Sequence, residues 1–324
     1  MVAETRPPVP NLIDPLAKAE IAAARSRIAD TILRTPLVQA GERRLWLKLE
    51  CLQPFGSYKI RGATNAVKAR LERDGVLDAI VSASAGNFGQ AIAAVAGKLG
   101  VPVIIHVPDN AARIKVANLR RLGATVIEHS FADWWSIMQT RATGDAGVFF
   151  HPVCEREVIA GAATIGEEIA ADLPELDVVL VPVGGGGLIS GIAQAIKHRS
   201  PNCRIVAVET ELATPLRAAF ERGEPVTVAR LPSFIDGMGS TRVLDEMWPL
   251  LRRLVDEVVV VTVQEVEAAI RSLASLHHVI AEGAGAAALA AAAKFTDRRA
   301  VAIVSGGNLD WPELHRILAV NDQV

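Results

Sequence analysis

Val181-Pro182-Val183-Gly184-Gly185-Gly186-Gly187-Leu188-Ile189-Ser190-Gly191 is the stretch from which the fold can be read. It joins an apolar run, residues 178–183, to a helical stretch, residues 189–198, through four successive glycines. An uninterrupted apolar run is the mark of a strand buried on both faces, as in parallel sheets. Four glycines are an entropic liability that a plain structural turn does not require. With no Cβ in the way, backbone amides at a helix N-terminus can close on an anion, and a phosphate is the natural occupant.

The same alternation extends in both directions. Strands are expected at residues 46–49, 79–82, 103–107, 126–127 and 148–150, then at 178–183, 205–208, 258–261 and 300–304. Helices are expected between them at 87–99, 111–122, 164–171, 189–198 and 263–276, with an alanine-rich core helix over 284–293. This order predicts an α/β protein of two open, twisted, mostly parallel sheets with flanking helices. One compact βαβα run covers Ile80 to Phe150, and a larger sheet follows His151, with the N-terminal region returning to it. The 324 residues are half apolar and carry a formal net charge of -2. That balance argues against a nucleic-acid or anionic-membrane partner. No apolar run reaches membrane-spanning length, and three scattered cysteines (Cys51, Cys154, Cys203) fit a reducing cytoplasm rather than a disulfide framework.

Three further segments carry chemistry. In Gly56-Ser57-Tyr58-Lys59-Ile60-Arg61-Gly62-Ala63, Ser57 reads as a helix N-cap, which places Lys59 in the first turn among apolar neighbours. A poorly solvated lysine amine is primed for Schiff-base chemistry, although alone it reads better as a surface lysine. Ser84-Ala85-Gly86-Asn87-Phe88-Gly89-Gln90 follows a strand with small residues. Its amides suit a carboxylate, and Asn87 offers a side-chain donor. Ser305-Gly306-Gly307-Asn308 sets a hydroxyl at a strand's C-terminal end, where open α/β sheets bind ligands. A dinucleotide site is the rival reading: Gly185, Gly187 and Gly191 form a loose glycine pattern, and Glu209 ends the next strand about 20 residues on. It leaves Lys59, Asn87 and Ser305 without roles.

Together the four segments resemble the fold-type II pyridoxal-phosphate enzymes, the tryptophan synthase β-like fold, and within them the serine/threonine dehydratase and serine racemase family. The resemblance runs from Arg34-Thr35-Pro36-Leu37 to Asp310. It takes in His151-Pro152, Val158-Ile159-Ala160-Gly161, Asp236-Gly237 and Glu282-Gly283-Ala284-Gly285 in the family's order. It implies pyridoxal 5'-phosphate as cofactor, bound covalently by Lys59. Asn87 would meet the ring oxygen, Gly184, Gly185, Gly186, Gly187 and Leu188 the phosphate, and Ser305 the ring nitrogen. The turn Ser84, Ala85, Gly86, Asn87 and Phe88 would bind the substrate carboxylate, with Ser240 and Glu282 as further candidates for the pocket wall. The implied domains are a large cofactor-binding unit, 1–55 with 151–324, and a small unit, 56–150. The implied reaction is α,β-elimination from a β-hydroxy-α-amino acid to a 2-oxo acid and ammonia, by a homodimer. A serine at the ring nitrogen, unlike a carboxylate, does not favour a pyridinium and so suits prompt elimination. β-Replacement of the cysteine-synthase kind is the alternative within the family; a non-catalytic pyridoxal-phosphate binder is the alternative outside enzymes.

Several positions depart from the family pattern, among them Ala162-Ala163-Thr164 in place of Gln-Gly-Thr. Ala85 stands where racemases carry a serine, which disfavours racemisation. Phe88 replaces a histidine and Tyr58 a phenylalanine, and both point to a substrate bulkier than threonine or serine, such as phenylserine. Glu209 matches the first ligand of a divalent-metal site, but Pro215 falls where a second carboxylate would stand, so no metal is expected there.

Overall fold

The computed structural model describes residues 14–41, 44–84, 86–109, 111 and 113–319. Along the chain, α1 (Lys18–Ile28) precedes two short strands, β1 (Leu37–Gln39) and β2 (Leu45–Lys48). Then come α2 (Lys59–Asp74), β3 (Ile80–Ala83), α3 (Asn87–Leu99), β4 (Val103–Pro108), α4 (Arg113–Arg121), β5 (Thr125–His129), α5 (Phe131–Thr140) and β6 (Val148–Phe149). The third stretch holds α6 (Arg156–Asp172), β7 (Val178–Pro182), α7 (Gly187–Arg199), β8 (Arg204–Thr210), α8 (Pro215–Arg222), α9 (Trp248–Leu254) and β9 (Glu257–Val261). It closes with α10 (Val263–Leu276), α11 (Gly283–Ala292), β10 (Ala300–Ile303) and α12 (Trp311–Leu318).

Two sheets result. The larger runs β1-β2-β10-β7-β8-β9 and is parallel except for β1, which pairs antiparallel with β2. The smaller, β5-β4-β3-β6, is wholly parallel. Alternate residues of the large-sheet strands enter different cores. Val179, Val181, Ile205, Ala207, Val301 and Ile303 join one cluster, with residues of α6, α7 and α9. Val178, Leu180, Val206, Val208, Ala300 and Ala302 join the other, with residues of α10 and α11. Because both faces are covered, these strands show no polar alternation.

Several expectations shift. Ser57 is not the helix N-cap: it is extended, buried and bridged to Gly306, and α2 begins at Lys59 after Tyr58. The fourth segment has taken the backbone that would have served the cap. The helix expected at 164–171 begins at Arg156, because Val158 to Ala163 are buried along its first turns. Glu209 accepts the Leu216 and Arg217 amides at 2.8 and 3.0 Å, so its carboxylate caps α8, which Pro215 opens.

Candidate active site

Lys59, in the first turn of α2, is half-buried, and its Nζ donates to the Pro152 carbonyl at 3.0 Å. The Tyr58 and Phe88 rings lie 5.0 and 5.8 Å from Nζ. Arg61, two residues on, is completely buried and anchors α2. Its guanidinium donates to both carboxylate oxygens of Glu50 at 2.8 Å and to those of Glu168 at 2.7 and 2.9 Å. Lys48 completes a four-charge cluster by donating to Glu168 at 2.5 Å. The charges cancel, as burial demands. Pro152 is held in turn by His151, whose Nδ1 accepts the Val153 and Cys154 amides and whose Nε2 bonds to the Met138 carbonyl. Burial pushes the His151 pKa down to about 3, leaving it neutral.

A cavity opens beside Lys59. Tyr58, Gly184, Gly185, Gly186, Gly187, Leu188, Gly237, Met238, Ala284 and Ser305 are among its lining residues. The four glycines are tightly confined. Gly186 takes φ +94°, and a Cβ on Gly187 would lie 2.9 Å from the Val153 carbonyl. The first bond back into this loop runs from Ser190 N to Gly186 O, so the earlier amides of α7 lie ahead of its internal ladder. Opposite them the buried Ser305 hydroxyl donates weakly to Ala284 O at 3.4 Å. A lysine amine, a helix N-terminus able to receive a phosphate and a neutral hydroxyl therefore share one cavity. That donor set fits a flat aromatic aldehyde with an anionic tail, which is pyridoxal phosphate.

The turn between β3 and α3 approaches from the small sheet. Ser84 Oγ accepts the Gly89 amide of the first turn of α3 at 3.2 Å, which leaves its O–H free to donate. Gly86 has open space where a Cβ would stand. Phe88 is buried in the small-sheet core. Ala85 lies outside the described residues. Asn87 Nδ2 donates to Glu282 Oε1 at 2.6 Å. Burial raises the Glu282 carboxyl pKa to about 7, against the opposing pull of Lys115 and the Asn87 bond. Beyond it, buried Lys115 of α4 forms an ion pair with Asp236. Ser240 is not brought to the cavity: Gly237 and Met238 line it, while the Ser240 hydroxyl donates to the Arg242 carbonyl. Arg61, His151, Lys115 and Asn308 received no role from the sequence. Only the quoted runs containing Arg61, His151 and Asn308 gave a signal.

The chain belongs to the family of pyridoxal-phosphate dependent enzymes, whose description matches residues 28–306. Within that family it groups with the fold-type II serine/threonine dehydratases and racemases. It is 38% identical over 312 residues to an L-threonine ammonia-lyase of Thermotoga maritima, covering 92% of this chain and 77% of that one. A catabolic L-threonine dehydratase of Escherichia coli is 34% identical over 322 residues, covering 95% and 98%. The solved structure of maize serine racemase superposes with a TM-score of 0.82 at 33% identity, covering 92% of this chain and 95% of that one. The cofactor is therefore pyridoxal phosphate. No helix among the described residues is long and apolar enough to cross a membrane.

Proposed function

We propose that this chain is a pyridoxal-phosphate dependent ammonia-lyase that converts a β-hydroxy-α-amino acid to a 2-oxo acid and ammonia. The observation that carries the reading is the meeting of Lys59, the four-glycine loop and Ser305 in one cavity. Pyridoxal phosphate, when bound, supplies an electron sink that acidifies the α-C–H bond of an amino acid joined to it. The chain's own residues do the rest. Lys59 would hold the cofactor covalently, and its Nζ, when free, would take the α-proton as general base. Gly184, Gly185, Gly186, Gly187 and Leu188 bind the phosphate through backbone amides. Asn87 donates toward the ring oxygen. Ser305 would meet the ring nitrogen with a neutral hydroxyl, which unlike a carboxylate does not favour its protonated form. Gly86, Asn87 and Phe88 offer amides to the substrate carboxylate, with Ser84 as the capping residue beneath them. Glu282 forms the wall behind Asn87.

The small-sheet unit, 56–150, and the large unit, 1–55 with 151–324, are the proposed domains, supported by the strand ranges of the two sheets. A homodimer is carried by family membership, and a cytoplasmic location by three free, buried cysteines. For the substrate, threonine, serine and a bulkier analogue such as phenylserine are the class. Tyr58, which lines the cavity beside Lys59, favours the bulkier one. The test is release of ammonia and 2-oxo acid from all three, beside cysteine formation from sulfide and an activated serine. Elimination from at least one hydroxy amino acid is expected. Efficient replacement without comparable elimination would overturn the lyase reading, and a large preference for threonine over phenylserine would overturn the bulky-substrate reading.

A further inference from the structure

Asn308 ends the Ser305-Gly306-Gly307-Asn308 run, and its amide sits where three segments meet. Its Nδ2 donates to the Phe55 carbonyl at 2.8 Å and to Asn87 Oδ1 at 2.8 Å. A backbone carbonyl can only accept, so the Phe55 contact fixes which end of the Asn308 amide faces it. That choice passes on to Asn87. Its oxygen must face Asn308, and its nitrogen must face Glu282 Oε1, where it already donates at 2.6 Å. A primary amide has two N–H bonds. One goes to Glu282, and the other is left for the cofactor's ring oxygen.

The chain goes to some expense to hold Phe55 in place. Phe55 has φ +63°, an uncommon conformation for a bulky residue, and Gly56 follows it at φ +71°. The Asn308 side chain lies directly on Gly56, where an added Cβ would come 2.5 Å from Asn308 Oδ1. Two backbone bonds tie the same segments, Gly307 N to Gly56 O at 2.8 Å and Tyr58 N to Ser305 O at 3.1 Å. The turn that presents Lys59 is thus gripped by the loop that orients Asn87. On the far side Glu282 is fully sheltered, and its Oε1 remains an acceptor whether or not the carboxyl is protonated.

We propose that Asn308 is a positioning residue: it sets the orientation of the Asn87 amide toward the cofactor and couples that orientation to the turn carrying Lys59. This rests on the reading that Asn87 faces the cofactor's ring oxygen. A carboxylate at position 308 cannot donate, so in Asn308→Asp the Asn87 amide turns over and aims its oxygen at the ring oxygen.

The test compares the visible spectrum and the cofactor dissociation constant of the holoenzyme with those of Asn308→Asp, Asn308→Ala, Asn87→Ala and the double variant Asn308→Asp/Asn87→Ala. Asn308→Asp should shift the band and weaken cofactor binding about tenfold, the order of one hydrogen bond to a charged group. Asn308→Ala, which frees the amide without inverting it, should do so less, and it serves as the readout if Asn308→Asp does not fold. The double variant should match Asn87→Ala in the position of the band, because Asn308 reaches the ring oxygen only through that side chain. A normal spectrum and affinity in both position-308 variants, or effects that add in the double variant, would overturn the proposal. A lower melting temperature with an unchanged spectrum would do the same, since it marks a purely structural role. If Asn87→Ala itself left the spectrum unchanged, the coupling would fall while the Lys59 reading stood; a wild-type protein without a lysine-bound band would sink that reading instead.

Discussion

Two strand-to-helix turns meet near Lys59, one from each sheet, and they are built in opposite ways. Between β7 and α7, Gly184 to Gly187 have no side chains, and their surroundings leave no room for one: Val153, Leu251 and Gly237 stand within 3 Å of where Cβ atoms would fall. Between β3 and α3, Gly86 has open space, and Ser84, Asn87 and Phe88 point in different directions: into the cap, toward Glu282 and into the core. The first turn grips with backbone held by close packing. The second works through side chains whose direction is set by distant partners.

Substitutions separate the two turns. The largest effect is expected where both turns converge: Lys59→Ala should reduce steady-state turnover by at least about 10³-fold, since it removes both the covalent tether and the base. A smaller loss would leave proton abstraction to another group. Next comes the contrast between glycines. In Gly187→Ala the new methyl meets the backbone carbonyl of Val153, so something must shift. Such overpacking costs about 1–3 kcal/mol, read as weaker cofactor binding by titration and a lower melting temperature. Gly86→Ala should stay within about 0.5 kcal/mol in melting experiments, because nothing stands in its way. Equal effects at the two glycines would erase the distinction.

Glu282 supplies a pH test on the side-chain half. Burial raises its folded pKa to about 7 from the usual 4.5. The native state therefore keeps a proton that the unfolded chain loses over this interval, and stability falls as pH rises from about 4.5 to 7. Glu282→Gln, which cannot ionise, should gain in melting temperature relative to wild type at about pH 8 more than at about pH 4.5. A gain of the opposite order would show that the carboxyl is ionised throughout. Substrate choice is tested at Tyr58. Tyr58→Phe, at a residue that lines the cavity, should shift the ratio of kcat/KM for threonine over phenylserine by about tenfold toward threonine, the scale of one altered pocket contact. An unchanged ratio would place substrate choice elsewhere.

How far the sequence could be read follows the same divide. The apolar runs at β7, β8 and β10 and the limits of α3 and α10 were legible because each is a local pattern. The four-glycine turn was legible because its close packing leaves no room for side chains. Ser57 was misread as a cap because its extended backbone is fixed by Gly306, about 250 residues away in sequence, and not by its neighbours. Ser240 was not separable from Gly237 and Met238 by any local signal, yet its hydroxyl satisfies itself on Arg242 and leaves the cavity to them. The partners of Asn87, namely Glu282 and Asn308, lie on the large-sheet side, and no spacing rule connects them. Arg61 sat in a quoted motif, but its role exists only once Glu50 and Glu168 surround it.

The central claim is that Lys59 is the residue joined to pyridoxal phosphate. Borohydride reduction of the holoenzyme, followed by mass mapping of its peptides, tests it directly. The reduced cofactor should be found on the peptide containing Lys59 and be absent from Lys59→Ala. A cofactor fixed to another lysine, or to none in a protein that still turns over a hydroxy amino acid, would contradict the account.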